Sequence, residues 1–508
     1  MAKFIAKRIG ISALVLFVAS VLLYVLVINS GDPLADLRES NDINRENLME
    51  QRAARMGLHL PWYERYASWL RGVLGCFVGQ CDFGVSRNGQ SVNALLADAA
   101  SSTIRLVLLA TILGIVVGIF FGAMTAIRQY SGFDYVVTTM AFIFYSLPSF
   151  VFAVLLKEYG AIRYNNWLAD PYISVLGGLL FAALFGLFMQ AMVAGDKQRR
   201  VITFTVSTVA VFGFVQLLSV TGWFRDPQGS ILMVVIVGVA AAVLFTALLV
   251  SLSNRRAVVV TLAVAGSYLA VMIAMNGVLI DPSYPILGLV LIIGIALAVI
   301  IPRFFGGYAR EAIRGASIAT VISMFVTMIV MYVARFWTHY TNMVGGRPIS
   351  TIGSGTPNFR GGDIFWLSFT DSFTHLILPT ISLTLMSVAS YTRYTRSSML
   401  ESLGQDYVRT ARAKGMPERT VITRHAFRNA LLPITTIVAF DFAGLIGGAV
   451  ITEKVFGWKG MGDLFRVGLE QVDPNPVMAF FVVTGTVAVL MNMFADIAYA
   501  SIDPRIRR

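Results

Sequence analysis

The sequence predicts an all-α polytopic membrane protein with about twelve transmembrane helices. Hydrophobic residues make up 56% of its 508 residues and charged residues only 13%, and the mean hydropathy is +0.72. Soluble domains carry roughly 25% charged residues, so this composition is typical of a chain solvated by lipid. Because backbone N–H and C=O groups in lipid must be bonded internally, each long apolar run is expected to be a helix.

Twelve apolar runs are long enough to cross a hydrocarbon core of about 30 Å. Their approximate limits are 9–29, 103–127, 134–156, 172–194, 201–220, 230–252, 257–280, 285–302, 316–336, 373–397, 430–452 and 477–501. The first run follows a basic N-terminus that resembles a signal peptide. It exceeds the usual apolar length and no small-residue cleavage site follows, so we expect an uncleaved helix.

The distribution of Lys and Arg orients these runs. With the N-terminus inside, the short inside connections 126–132, 195–200, 253–256 and 303–315 are all basic. The opposite connection 221–230 holds a single Arg. This agrees with the positive-inside rule and places both termini in the cytoplasm. The net charge of +12 is thereby explained by membrane loops, and we expect lipid rather than nucleic acid as the partner of these residues.

A long loop, about 30–102, is expected on the exported side. Within it Trp62, Tyr66, Trp69 and Leu70 share one helical face. Such a helix either lies in the membrane interface or packs on the protein's own exported face, and the sequence favours neither.

Cys76 and Cys81 lie close together in the same exported loop. An oxidising compartment would permit a short disulfide between them, and two free thiols are the alternative. The four histidines are dispersed and have no carboxylate at ligand spacing, so no metal site is expected. No phosphate-binding loop, G-x-S-x-G or H-E-x-x-H motif occurs, so the chain is expected to hold no cofactor and to catalyse no reaction itself.

One inside connection, 393–428, differs from the others because it is long and dense in Arg and Lys. Pro417 stands where a helix could begin, and Val421, Ile422 and Phe427 follow at near-helical spacing. We expect a short amphipathic helix parallel to the membrane that presents apolar and basic side chains to a cytosolic partner. A basic loop bound to anionic lipid heads is the alternative.

Ionisable residues at membrane depth are costly and often functional. Asp441 lies well inside the eleventh run, Glu453 near its outer end, and Asp496 in the twelfth run. These residues are candidates for lining a pathway or for pairing with a partner subunit. Hydrogen bonding within the chain's own bundle is the alternative for Asp441 and Asp496.

Two stretches of the basic connection, DYVRTARAKG at 406–415 and HAFRNALLP at 425–433, resemble the cytoplasmic coupling loop of dipeptide- and oligopeptide-type ABC importer permeases. Arg409 and Thr410 replace the Glu and Ala of the general importer loop, as is typical of the peptide branch. Further motifs similar to this family stand at 31–33, 82–86, 146–150, 375–379, 453–458 and 500–505.

The resemblance implies the transmembrane domain of a type I ABC importer in the bacterial cytoplasmic (inner) membrane. It implies a second permease subunit, two cytosolic ATPases that bind ATP and Mg, and an exported binding protein that delivers peptides or similar small solutes. The coupling helix would occupy a cleft of the ATPase, with Gly415 allowing a bend. The implied ATPase-coupling residues are Asp406, Tyr407, Arg409, Ala411, Arg412, Lys414, Gly415, Glu418, Arg424, His425, Arg428 and Asn429.

Members of this family usually have six membrane helices, which implies that six further spans are inserted here. We therefore divide the chain into a permease core at 1–157, an insertion at 158–363 and a second core part at 364–508 that contains the coupling loop 398–433. The inserted runs are poor in ionisable residues, which favours a peripheral, lipid-facing accessory region.

Two alternative functions are a secondary transporter and a membrane scaffold subunit, neither coupled to ATP. A secondary transporter usually has related halves and broken helices with polar midplane residues, and the sequence has no such repeat. A scaffold would not need the long patterned basic connection.

Overall fold

The computed structural model describes residues 2–192, 196–445 and 449–502 of the chain. Side chains are described in these ranges except at 2–9, 192, 432, 439–440, 442–445, 492 and 494–502. The described residues form helices and connecting loops without a β-strand, which confirms the all-α class.

The helices of the N-terminal part include one long membrane helix, a group of short helices in the loop that follows it, and a second long helix. Their bounds are α1 (Ala2–Ile28), α2 (Ala35–Arg38), α3 (Arg45–Arg55), α4 (Trp62–Leu74), α5 (Val92–Ile127), α6 (Gly132–Ser146), α7 (Ser149–Lys157) and α8 (Tyr164–Ala169), with a 3₁₀ turn at Gly75–Val78 and a π-type turn at Glu158–Arg163.

The aromatic helix α4 packs on the protein's own surface. Tyr66 and Trp69 are buried against Tyr24 of α1 and Met478. The hydroxyl groups of Tyr66 and Ser20 are hydrogen-bonded at 2.7 Å. The sequence left open whether this helix lies in the membrane interface or packs on the protein's own exported face. In the structure it packs on the protein.

The expected span 134–156 is not continuous. The helices α6 and Ser149–Ala169 meet at an angle of 100°. Leu147 has an extended backbone, with ψ of 131°, directly before Pro148. Proline disfavours the helical region for the residue that precedes it and lacks the N–H that a continuous helix would use, so the chain bends here.

The insertion consists of apolar helices joined by short loops. Their bounds are α9 (Val175–Met192), α10 (Lys197–Val220), α11 (Ile231–Leu249), α12 (Arg255–Ala274), α13 (Asn276–Leu279), α14 (Tyr284–Phe305) and α15 (Arg310–Met343), with a 3₁₀ turn at Gly307–Ala309. Side-chain caps begin several of them; Asn254, for example, accepts a bond from the N–H of Ala257.

The C-terminal part holds the remaining permease helices. Their bounds are α16 (Phe365–Gly404), α17 (Asp406–Ala413), α18 (Glu418–Thr420), α19 (Arg428–Leu445), α20 (Val450–Phe456), α21 (Met461–Glu470) and α22 (Pro474–Ile502), with a π-type turn at Val421–Phe427.

The insertion has two parts that pack differently. The α9–α10 hairpin lies beside α6, and none of the residues of α10 is buried. By contrast, α11, α12, α14 and α15 share one apolar core with Trp366 of α16. Trp366 stacks on Tyr332 at 4.8 Å and donates its indole N–H to the carbonyl of Leu279 at 2.8 Å. The hairpin thus agrees with the expected peripheral position, whereas the four-helix part is packed onto a core helix.

The centre of the permease core is a parallel seam between α5 and α16. Gly114, Gly118 and Gly122 lie one turn apart along α5 and face α16. A Cβ at any of them would come within about 2.5 Å of a side-chain Cβ of Ser387, Tyr391 or Thr395. Glycine at these positions therefore allows the two backbones to approach closely.

Within the described ranges, nine helices are long and apolar enough to cross a membrane, or ten if the bent pair at Pro148 is one span. The two other expected runs correspond to α9 and α19, each of which ends beside residues outside the description. A multi-pass helical protein is therefore confirmed, and the total of twelve spans stays a prediction.

Candidate coupling surface and membrane cavity

The first half of the basic connection is a short helix attached to the ends of two membrane helices. Val408 and Ala411 of α17 are buried against Ala126 of α5 and Met399 of α16. Because these two positions share one helical face, the opposite face stays in solvent. That exposed face carries Asp406 and Arg409, which form a loose ion pair at 3.7 Å.

The chain bends after α17 at Gly415, whose φ of +74° lies in the left-handed region that favours glycine. Across this bend the Arg412 guanidinium is bonded to both carboxylate oxygens of Glu418, with a shortest distance of 2.6 Å. This bond holds the pKa of Glu418 below its usual range. Both side chains are exposed, so the pair orients the bend more than it stabilises the fold.

The apolar residues of the second half do not face outward, which corrects the expectation from the sequence. Val421 is fully buried in the same cluster as Ala126, with Ile422 and Phe427 packed against it. The π-type turn at Val421–Phe427 continues directly into α19, so this half is the start of a membrane helix rather than a separate helix on the surface. Burial of apolar side chains against the bundle ends explains the difference.

The structure brings most of the predicted ATPase-coupling residues to one surface. Those exposed there are Asp406, Tyr407, Arg409, Arg412, Lys414, Gly415, Glu418, Arg424, Arg428 and Asn429. Ala411 is buried, and His425 is half-buried with an Nε2 atom that no described residue bonds. Arg419, which the sequence did not single out, is exposed beside them. We call the exposed residues of 406–429 the coupling surface; cations clearly outnumber carboxylates on it.

A cavity of about 500 Å³ opens between α5, α16 and α19 at the level of the membrane spans. Asp441 is exposed to it, and the Tyr391 hydroxyl donates a hydrogen bond of 2.5 Å to its Oδ2 atom. Thr111, Ser387 and Ser390 add hydroxyl groups to the wall. The sequence singled out Asp441 alone, although the polar run around Tyr391 inside an apolar span was a signal for the others.

Glu453 does not line this cavity, and it cannot pair with another subunit because it is fully buried. Its carboxylate accepts bonds from the Thr103 hydroxyl and from the N–H of Asp463, both at 2.9 Å. Glu453 therefore joins α5, α20 and the start of α21 inside the chain. The side chain of Asp496 lies outside the described residues.

The loop on the opposite end of the bundle from the coupling surface is cross-linked. Cys76 and Cys81 form a disulfide. The loop is also tied to the C-terminal part, because Asp473 accepts a bond of 2.6 Å from the N–H of Arg87. Two guanidinium groups, of Arg52 and Arg87, bond the carboxylate of Asp36 in the same region.

These features define a class of protein: a multi-pass helical membrane protein with a polar cavity among its spans and short basic helices fixed to the ends of those spans. Residues 290–508 of the chain match the family described as binding-protein-dependent transport system inner membrane component. The resemblance to peptide-type ABC importer permeases is thereby confirmed.

Curated relatives carry names from peptide transport. The oligopeptide transport system permease protein OppB of Mycobacterium tuberculosis (strain ATCC 25618 / H37Rv) is 43% identical over 164 residues, which cover 32% of this chain and 50% of that protein. The oligopeptide transport system permease protein AppB of Bacillus subtilis (strain 168) is 48% identical over 136 residues, which cover 27% of this chain and 43% of that protein.

A third relative is the dipeptide transport system permease protein DppB of Escherichia coli (strain K12). It is 42% identical over 140 residues, which cover 28% of this chain and 41% of that protein. The chain thus spans half or slightly less of the length of these curated relatives.

Proposed function

We propose that this chain is the membrane-spanning permease subunit of an ATP-driven importer of peptides or similar small solutes. It would pair with a second permease, receive solute from an exported binding protein and bind two cytosolic ATPases through the coupling surface. ATP and Mg would be held by the ATPases, and this chain would not be catalytic. The termini and the coupling surface would face the cytoplasm.

The observation that carries the proposal is the attachment of the coupling surface to the helices that line the cavity. Val408 and Ala411 pack on the ends of α5 and α16. The same two helices contribute Thr111, Ser387 and Tyr391 to the cavity wall. Because packed helices move as rigid bodies, a displacement of α17 by an ATPase would change the cavity.

The charge of the coupling surface supports a protein partner of opposite charge. Arg409, Arg424 and Arg428 are exposed, and Arg409 is only loosely paired. Complementary charges across an interface increase association rate and fix its register. The fixed bend at Gly415 presents these cations in one arrangement, as a defined docking site needs.

The test is co-purification of the ATPase subunits with the detergent-solubilised complex, together with solute uptake in proteoliposomes. Charge reversal in Arg409→Glu or Arg424→Glu should reduce ATPase retention and uptake about tenfold or more, because a charged interface contact is replaced by repulsion. Arg200→Glu is the matched control, since Arg200 is exposed and is predicted on the same side. Equal ATPase retention by all three variants would contradict the proposal that the ATPase binds the coupling surface.

A further inference from the structure

A second cavity, of about 470 Å³, lies where the insertion meets the permease core. It is at the end of the bundle opposite the coupling surface, between α8, the end of α15, the loop after α15 and α16. Polar residues that line it are Asn165, Asn166, Tyr340, Arg347, Thr351 and His375. Its volume is within the roughly 300–1,000 Å³ that small-molecule sites occupy.

Hydrogen bonds within the insertion, and others between the insertion and the core, hold the walls of this cavity. The amide of Asn165 bonds both backbone groups of Ile349, donating to its carbonyl at 2.7 Å and accepting from its N–H at 3.1 Å. The Tyr340 hydroxyl is bonded to the Thr374 hydroxyl at 2.8 Å. Further along the same loop, the N–H of Gly353 donates to the carbonyl of Phe456 at 2.9 Å. The site is therefore preformed.

His375 contributes a hydrogen-bonding ring nitrogen to one end of the cavity. The residue is only 5% exposed, and its Nδ1 lies 2.7 Å from the Asp371 carbonyl oxygen. A carbonyl can only accept, so Nδ1 carries the hydrogen and Nε2 of the neutral ring is an acceptor. No described residue bonds Nε2, and His375 lines the cavity.

The carboxylate of Asp371 adds negative charge behind this ring. Its Oδ1 atom lies 3.7 Å from Nδ1 of His375 and its Oδ2 accepts a bond from the N–H of Thr356 at 3.1 Å. A buried acceptor with a carboxylate behind it favours a ligand group that donates hydrogen bonds and is positively charged, such as an ammonium.

Arg347 adds a site that favours a negatively charged ligand group, in contrast to the positively charged group favoured near His375. Its side chain is exposed and forms no ion pair or hydrogen bond with any residue in the described ranges. A guanidinium presents paired N–H groups that match the two oxygens of a carboxylate. The cavity wall therefore combines a group suited to an ammonium with a group suited to a carboxylate.

We propose that this cavity binds a zwitterionic solute of the size of a free amino acid or dipeptide. The ligand's ammonium donates to Nε2 of His375 and its carboxylate is held by Arg347. This site is separate from the cavity that contains Asp441, and it does not require that the chain be an importer. It gives the insertion a ligand-binding role in addition to its apolar packing.

The test is binding of radiolabelled Ala-Ala to the purified full chain in nanodiscs of phosphatidylcholine and phosphatidylglycerol. Blocking either end of the dipeptide, by N-acetylation or C-amidation, should weaken binding about tenfold or more, since each charged hydrogen bond is lost. Arg347→Gln should weaken Ala-Ala binding by a similar factor but leave the affinity for the amide unchanged. Because Arg347 is exposed, this variant is expected to fold.

One control locates the binding. Arg360→Gln, at an exposed position outside the cavity, should leave the dissociation constant unchanged. The absence of saturable binding, or equal binding by Arg347→Gln and the native chain, would overturn the proposal. Loss of dipeptide binding when phosphatidylethanolamine is added to the nanodiscs would also overturn it, because a lipid headgroup would then be the occupant.

Discussion

The hydroxyl of Tyr391 is bonded to the carboxylate of Asp441 at 2.5 Å, and this bond joins α16 to α19 at the wall of the membrane cavity. Tyr391 also packs against Gly118 on the seam with α5. The Tyr391 side chain of α16 therefore contacts α5, on whose end α17 packs, and α19, which follows the coupling surface. It also lines the cavity between these helices. A change at the coupling surface has a direct structural route to this bond.

Removing the Tyr391 hydroxyl should eliminate its hydrogen bond to Asp441. Tyr391→Phe leaves Asp441 without its bonded partner at membrane depth, and we expect the unfolding free energy to fall by about 1–3 kcal/mol. Uptake in proteoliposomes should fall with it. Tyr394→Phe is the matched control, because Tyr394 lines the same cavity without a hydrogen bond to a described residue. Equal thermal unfolding of the two variants would argue against a structural role for the bond.

Removing the negative charge of Asp441 while keeping its hydrogen bond distinguishes a role in contacting solute from a role in joining helices. Asp441→Asn keeps an oxygen that accepts from Tyr391, so we expect normal assembly with a several-fold decrease in uptake if the charge contacts solute. Uptake is to be compared with the amount of assembled complex in the same membranes. Full uptake by this variant would place Asp441 among residues that only join helices.

The bend at Gly415 is expected to be sensitive to any side chain. Gly415→Ala places an L residue at a φ of +74°, which costs about 1–2 kcal/mol, although the space around the new Cβ is open. We expect the coupling surface to become susceptible to proteolysis and to retain less ATPase. Gly404→Ala is the control, because that glycine also has open space around it but no positive φ. Similar digestion of both variants would contradict the conformational argument.

The Thr103–Glu453 pair should contribute to stability rather than to transport chemistry. Thr103→Val removes the donor to Glu453 and the acceptor for the N–H of Met461, which lies 2.7 Å from the Thr103 hydroxyl. Each buried group left without a partner costs about 1–3 kcal/mol, so the melting temperature in detergent should fall clearly. Thr103→Ser keeps the hydroxyl and should restore most of the loss. A serine variant as unstable as the valine variant would indicate that packing of the methyl group dominates.

The α9–α10 hairpin should be removable. Its ends are adjacent, since the Arg225 guanidinium donates to the carbonyl of Ala169 at 2.9 Å. Replacing residues 171–225 by a short Gly-Ser linker removes two helices and preserves the orientation of those that follow. We expect a monodisperse protein by size-exclusion chromatography with a melting temperature close to that of the full chain.

The larger deletion of residues 159–363 provides the contrast. It would expose the face of Trp366 that packs in the four-helix core of the insertion, so aggregation is expected. If both deletions behaved alike, the division of the insertion into a hairpin and a packed bundle would be wrong.

The oxidation state of Cys76 and Cys81 tests on which side of the membrane this loop lies. The peptide 75–87 from protein purified without reductant should be lighter by two hydrogens than the reduced peptide, and should resist alkylation until reduced. An oxidised peptide supports export of this loop, because cytoplasmic thiols stay reduced. Free thiols in freshly isolated membranes would contradict the proposed orientation.

Much of the fold could be predicted from the sequence because lipid imposes helices on apolar runs of sufficient length. The runs at 9–29 and 285–302, for example, correspond to α1 and α14. The break at Pro148 was missed, although the residue type that causes it was visible. An apolar run reports hydrophobicity, whereas the bend depends on whether neighbouring helices accommodate a missing hydrogen bond.

Composition and motifs alone were enough to predict the lipid-solvated class, the resemblance to peptide-type permeases, and the basic segment with Gly415 at its bend. The packing of the helices was needed to show that Val421 is buried, that Glu453 bonds Thr103 rather than facing the cavity, and that Asp441 is exposed to the cavity. Glu453 and Thr103 are 350 positions apart in the chain. Local periodicity fixes the face of a helix on which a residue lies, but the partner that meets that face is set by how the helices pack.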